Sequence, residues 1–299
     1  MSVEWITRNV VAPQEELEGL WESIVVEASL KDRLQNQVLL SLTLRAQVPF
    51  SVSALHALIL LHGPPGTGKT TLARGLAQVL APAMEAGKVR LLEVDPHGLM
   101  SAEHGQSQQR VTELLCDTIP GLCEDGLPSI VLLDEVESMA VARSEASLAA
   151  NPADVHRATD AVLMALDRNA DSHPHIVTIA TSNFTAALDE AFRSRADLSL
   201  EVPLPNAEAS AKIVRETLLG FTKAFPMLEK LAKARETETL GVQLVGLDGR
   251  QIRKLVTEAM AMRRDVVIDP GSLTIVDLAG AIKRIKTELP EEEDGHAAA

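Results

Sequence analysis

The sequence predicts an α/β fold: a parallel sheet covered by helices, followed by a small helical lid. Three observations carry this. A gapless G-x-x-x-x-G-K-[ST] string at residues 63–70 lies between an apolar strand and a helical pattern. A second apolar strand ends in paired carboxylates, Asp134 and Glu135, about 65 residues later. Strand and helix patterns alternate from about residue 55 to 203, and beyond Pro203 and Pro205 only helical periodicity continues.

Taken in order, residues 57–61 (ALILL) read as a buried parallel strand, and residues 70–80 have helical apolar spacing. A second strand is expected at 89–94, a helix at 107–117, and a third strand over 129–134. A helix at 154–167 follows, then strands at 176–182 and 198–202. Helical periods cover 208–219, 225–234, 248–262 and 276–289. The last ten residues, PEEEDGHAAA, read as a disordered acidic tail. The organisation expected is an arm over 1–16, a large α/β domain over 17–204, a helical lid over 205–289 and the tail over 290–299.

Composition narrows the class. Of the 299 residues 46% are apolar, ample for a core, yet there is no tyrosine and there are only five Phe and two Trp. The core must be built from Leu, Val, Ile and Ala. The net charge of −14 argues against a large nucleic-acid footprint, which is usually basic. No apolar run reaches the length of a membrane span, and the first 14 residues lack the basic start and apolar stretch of a secretion signal. Cys116 and Cys123 fit no metal-site spacing and are expected to be reduced, in a cytoplasmic protein.

The chemistry sits in the motifs. Glycines let the backbone curl so that several N–H groups converge on phosphate oxygens, and the helix that follows adds its own N-terminal donors. Pro65, Gly66, Thr67, Gly68, Lys69, Thr70 and Thr71 are therefore the expected nucleotide contacts. Lys69 should reach the β- and γ-phosphates, with the Thr70 hydroxyl on Mg²⁺. Asp134 is expected to hold that ion, usually through water, and Glu135 to act as general base. An extended strand end would make the two carboxylates diverge. Asn183, closing the strand at 176–182, is placed to orient water and the γ-phosphate. Arg193 and Arg195 lie on a loop after a short helix. A neighbouring subunit's γ-phosphate is the anion that would justify them, and the competing reading is surface pairing with Asp189 or Asp197. Arg250 opens a lid helix from which it can fold back onto nucleotide.

This ordered set resembles the AAA+ ATPases. The strings GLWESIV (19–25), DEVESM (134–139), NPAD (151–154), RATDAVL (157–163), TSNF (181–184) and AFRSRAD (191–197) are similar to those of the pachytene-checkpoint remodellers over about residues 17 to 285. The resemblance implies a homo-hexamer that binds ATP and Mg²⁺ and hydrolyses ATP between subunits. It also implies a substrate, a HORMA-domain protein, which is pulled through the pore from closed to open so that a trapped peptide is released. Bacterial relatives counteract HORMA-activated nucleotide-cyclase systems of anti-phage defence. By the same resemblance Arg195 is the finger, Arg193 has no role to inherit, Gly249-Arg250 is the second sensor, and Trp21 lies in the segment flanking adenine.

Two departures stand out. Only about 16 residues precede the resemblance, too few for a separate recognition domain. The expected pore loop has no aromatic ring besides histidine, so Glu103 and His104 take the gripping position, or the loop does not grip. Other classes remain: an unfoldase serving a protease would carry an apolar docking loop, a clamp-loader or initiator switch would carry basic helices, and a nucleotide-gated scaffold would lack Glu135. No membrane and no direct nucleic-acid partner are expected.

Overall fold

The computed structural model describes residues 5–96, 99, 106–142 and 152–288. The expected acidic tail, and the pore residues Glu103 and His104, lie outside these. The chain forms two compact units, Met1–Pro203 and Leu204–Ala299.

The first unit is built on a six-stranded sheet: β1 (Ile6–Ala12), β2 (Leu58–His62), β3 (Val89–Val94), β4 (Ser129–Leu133), β5 (Ile176–Ser182) and β6 (Ala196–Glu201). Its spatial order is β1-β3-β4-β5-β2-β6. Five strands run parallel and β1 pairs antiparallel with β3. The sheet is therefore mixed rather than purely parallel, and the arm expected at the N-terminus supplies its edge. An edge strand packs on one side only, so ITRNVVA carries charged and amide residues that dilute its apolar alternation.

The buried strands alternate between two cores. Ile59 and Leu61, Ile130 and Leu132, and Val177 and Ile179 face one core with Leu72, Ala73 and Leu76 of α2 (Lys69–Leu80). Leu58 and Leu60, Val131 and Leu133, and Ala180 face the other, with Ala161, Val162 and Ala165 of α4 (Pro152–Ser172). Two-sided cover explains why these strands read as continuous apolar runs. Two other helices of the unit bear on the packing. The first, α1 (Ala28–Leu44), buries Leu34, Val38 and Leu42 along one stripe and is absent from the sequence expectation. The other, α3 (Ser107–Thr112), runs on through a wider turn at Glu113–Thr118.

Arg45 follows α1 and is buried, with burial pulling its pKa down to about 10. It donates to the carbonyls of Asn169 (2.9 Å), Ala170 (3.0 Å) and Ile176 (2.7 Å), closing the C-terminal end of α4 against the start of β5.

The second unit is helical. Its main helices are Ala207–Phe221, Arg235–Leu244, Gly249–Ala261 and Ile275–Glu288, with shorter turns at Leu228–Ala232 and Arg264–Ile268. The helical period expected at 225–234 is instead a short turn of helix, and Arg235–Leu244 follows as a separate helix. Gly241 permits close packing there: a Cβ would lie 2.1 Å from the Ala207 carbonyl oxygen. Asp248 caps Gly249–Ala261 by accepting from the N–H groups of Arg250 and Gln251, while the Asp248 N–H donates to Gln251 Oε1. No helix among the described residues is long and apolar enough to cross a membrane.

Candidate nucleotide site

In an open α/β sheet, ligands collect beyond the carboxyl ends of the strands where the connections diverge. Here β5 lies between β4 and β2. The loops leaving these three strands carry the sequence motifs, and the order of strands brings them together.

The phosphate loop leaves β2 with Gly63, Gly66 and Gly68 at φ of 139°, 77° and 94°, a region that side chains disfavour. Two of these glycines also need the space. A Cβ on Gly63 would lie 2.3 Å from the Val202 carbonyl oxygen, and one on Gly68 2.4 Å from Ile24 Cδ1. Lys69 opens α2 and is buried; its ammonium donates to the carbonyls of Gly63 and Pro64 and to Asn183 Oδ1, each at 2.8 Å. Burial lowers its pKa, opposed by the negative field of Glu137, Asp134 and Glu135.

The carboxylate pair follows β4. The Thr70 hydroxyl donates to Asp134 Oδ1 at 2.6 Å, and the Thr181 hydroxyl donates to the same oxygen at 2.5 Å. With its proton committed to Asp134, Thr70 keeps its oxygen lone pairs for a hard cation. A hydroxyl beside a single carboxylate suits Mg²⁺, which prefers oxygen ligands and few protein groups. Glu135 departs from the expectation of an extended strand end. It has φ 54° and ψ 53°, the left-handed region, and it is this turn that separates the two carboxylates. Its N–H donates to Thr181 Oγ1 at 2.9 Å, and its Oε1 accepts from Asn183 Nδ2 at 3.2 Å.

Asn183 thus joins Lys69 to Glu135 through one amide. Its own N–H donates to Glu137 Oε1 at 3.1 Å, while Glu137 Oε2 is buried and has no hydrogen-bond partner among the described residues. Thr181 and Glu137 were not among the expected site residues. A signal for Thr181 existed, because it shares strand parity with Val177 and Ile179 and is a polar group at an inward position.

Other expected residues have different surroundings. The Trp21 side chain is buried in the core under the Lys31 ammonium, and its backbone lies so close to α2 that a Cβ on Gly75 would be 2.4 Å from Trp21 N. From that segment it is Ile24 that meets the phosphate loop. Arg195 is held by Asp167 through two bonds, Nε to Oδ1 at 2.7 Å and Nη2 to Oδ2 at 2.8 Å, and His56 Nε2 lies 3.3 Å from the same carboxylate. These bonds to the guanidinium hold the Asp167 carboxyl below its ordinary range. The two acids expected beside the arginines also bind backbone, and Asp189 adds its negative field at Arg195. Asp189 caps the helix Glu190–Ser194, and Asp197 accepts from the N–H groups of His56 and Ala57. Arg193 is exposed and has no ion pair among the described residues. Arg250 lies exposed in the second unit at the start of its helix. Cys116 and Cys123 are buried free thiols.

Comparison with known proteins follows the same lines. Residues 59–204 match the family model described as "ATPase family associated with various cellular activities (AAA)". The chain is 47% identical to CD-NTase-associated protein 6 of Pseudomonas aeruginosa, over 94% of this chain and 92% of that protein. It is 35% identical to a pachytene checkpoint protein 2 homolog of Arabidopsis thaliana, over 96% of this chain and 67% of that protein. A chain of the solved E. coli MS115-1 HORMA:CdnC:Trip13 complex superposes with a TM-score of 0.69 at 18% identity, covering 94% of this chain and 95% of that one, which shows a shared fold.

Proposed function

Because the chain belongs to the pachytene-checkpoint family of AAA ATPases, we propose that it is an ATP-driven remodeller that opens a closed HORMA-domain protein and frees the peptide it holds. The observation that carries the reading is the joined cluster of Lys69, Asn183, Glu135, Asp134 and Thr70. It combines a phosphate-binding loop, a cation-binding pair and a base in one place. The HORMA substrate is supported by the family and by the composition of the E. coli complex. A role restraining a nucleotide-cyclase defence system is supported by the name of the Pseudomonas relative.

In this reading the backbone of residues 65–71 wraps the phosphates and Lys69 brings positive charge to them. Thr70 and Asp134 hold the cation, which when bound neutralises charge developing on the phosphates. Glu135, steadied by Asn183, takes the proton of the attacking water. A homo-hexamer in the cytoplasm is the assembly proposed, with Arg195 reaching the next subunit's nucleotide and Arg250 closing on its own. Ile24 and its neighbours flank the base. Glu103 and His104 are proposed to line the pore.

The test uses a purified HORMA-domain partner closed on a fluorescent peptide. Peptide release should require Mg²⁺ and ATP, and should stop with Glu135→Gln. Full ATP turnover with the peptide still bound would overturn the HORMA assignment while leaving the ATPase intact.

A further inference from the structure

We infer that Thr181 is a positioning residue for ATP hydrolysis: its hydroxyl sets the Asp134 carboxylate and the Glu135 backbone at once. The inference rests on the ATPase reading of the site and adds a residue to it.

The strand register puts Thr181 in place. Ala180 on β5 pairs with Leu133 on β4, so Thr181 stands beside Asp134, one step beyond the end of the apolar run. On its other side it pairs with Leu61, two residues before the phosphate loop. A hydroxyl has one proton to give and lone pairs to receive. Thr181 uses both, donating to Asp134 Oδ1 and accepting the Glu135 N–H. The residue is about 1% exposed, so the hydroxyl itself is shielded from water.

The two bonds do different work. Donation to Oδ1, together with that from Thr70, fixes the rotation of the carboxylate, leaving Oδ2 without a hydrogen bond among the described residues. Acceptance from the Glu135 N–H ties down a residue held at φ 54°, a conformation that persists only where surrounding bonds determine it. Without the hydroxyl, Glu135 loses the bond at its N–H, which weakens the hold on its turn and on the position of its carboxylate. Thr181 touches neither phosphate nor water in this scheme; it acts through the two carboxylates that do. Valine matches its shape without its hydrogen bonds, and serine keeps the hydroxyl alone.

The experiment compares the parent with Thr181→Val, Thr181→Ser, Glu135→Gln and the Thr181→Val/Glu135→Gln double variant. The readouts are ATP turnover as a function of ATP and Mg²⁺, and the rise in melting temperature with ADP. Thr181→Val should lower kcat by about 10–100-fold, as loss of an orienting partner does, and should raise the Mg²⁺ needed for half-maximal rate. Its ADP-dependent rise in melting temperature should persist. Thr181→Ser should recover most of the turnover, and at saturating Mg²⁺ the double variant should lose much less than the product of the two single effects, because Glu135 is common to both changes. Parental kcat in Thr181→Val beside a disabled Glu135→Gln overturns this inference only. So does a fall in turnover matched by loss of the ADP response, which marks a structural residue. Parental turnover in Glu135→Gln overturns the base assignment and this inference with it. If Thr181→Val does not fold, Thr181→Ala takes its place under the same criteria.

Discussion

Asp167→Asn separates two roles that Arg195 can have. The bridge has two short, parallel bonds, a geometry worth about 1.5–3 kcal/mol per charged bond when water is excluded. Water is not excluded: the Asp167 side chain is 45% exposed and that of Arg195 22%. Solvent screening brings such a pair to about 1 kcal/mol, the upper end for surface bridges. For a unit of this size that is a fall of about 2–4 °C in melting temperature. The pH dependence follows from the depressed Asp167 pKa, caused first by its bonds to Arg195. The contribution is complete above the ordinary aspartate value of about 4 and disappears as pH falls through the lower folded value. The gap between parent and Asp167→Asn should therefore be constant near neutral pH and close in acid. ATP turnover decides the function. As a group supplied to a neighbour, Arg195 is worth about 10³–10⁵ in rate, so Arg195→Ala should abolish turnover while keeping ATP affinity. Asp167→Asn frees the guanidinium and should leave turnover within a few-fold of parent. If Asp167→Asn is as inactive as Arg195→Ala, Arg195 acts through this bridge within its own chain, and the exposed Arg193 becomes the trans group to test.

Glu135→Gln should keep ATP binding and lower turnover by about 10²–10⁴-fold, whereas Lys69→Ala should abolish the nucleotide-dependent rise in melting temperature. Gly75→Ala would set a Cβ 2.4 Å from Trp21 N, where backbone must yield. It should cost about 1–3 kcal/mol and weaken ATP binding by lifting Ile24 off Gly68, both visible in melting curves with and without nucleotide. Arg45→Leu removes the donor to the buried carbonyls of Ala170 and Ile176. At about 1–3 kcal/mol for each, urea denaturation should show a loss of about 2–6 kcal/mol, with turnover per folded molecule unchanged.

The sequence by itself determined what depends on local pattern. Glycines at 63, 66 and 68, and largely apolar strands at 57–61, 129–133 and 176–180, are dictated by backbone conformation and by burial on two faces, so strand, loop and helix could be read directly. It also named the residues of the central cluster, because phosphate chemistry needs particular side chains at set spacings. What the tertiary structure decided depends on partners distant in sequence. β1 shows as a strand only through its pairing with β3, 80 or so residues away. The carboxylates diverge through the left-handed turn at Glu135, which its bond to Thr181, 46 residues on, holds in place. Asp167 as the partner of Arg195, 28 residues away, is not legible from sequence proximity: the nearer Asp189 caps a helix and Asp197 accepts from the N–H groups of His56 and Ala57. Trp21 lies, by resemblance, in the segment expected to flank adenine, and folding buries its side chain. Local preference acts within a few residues of the chain, whereas hydrogen-bond satisfaction and packing are settled only when the strands lie side by side.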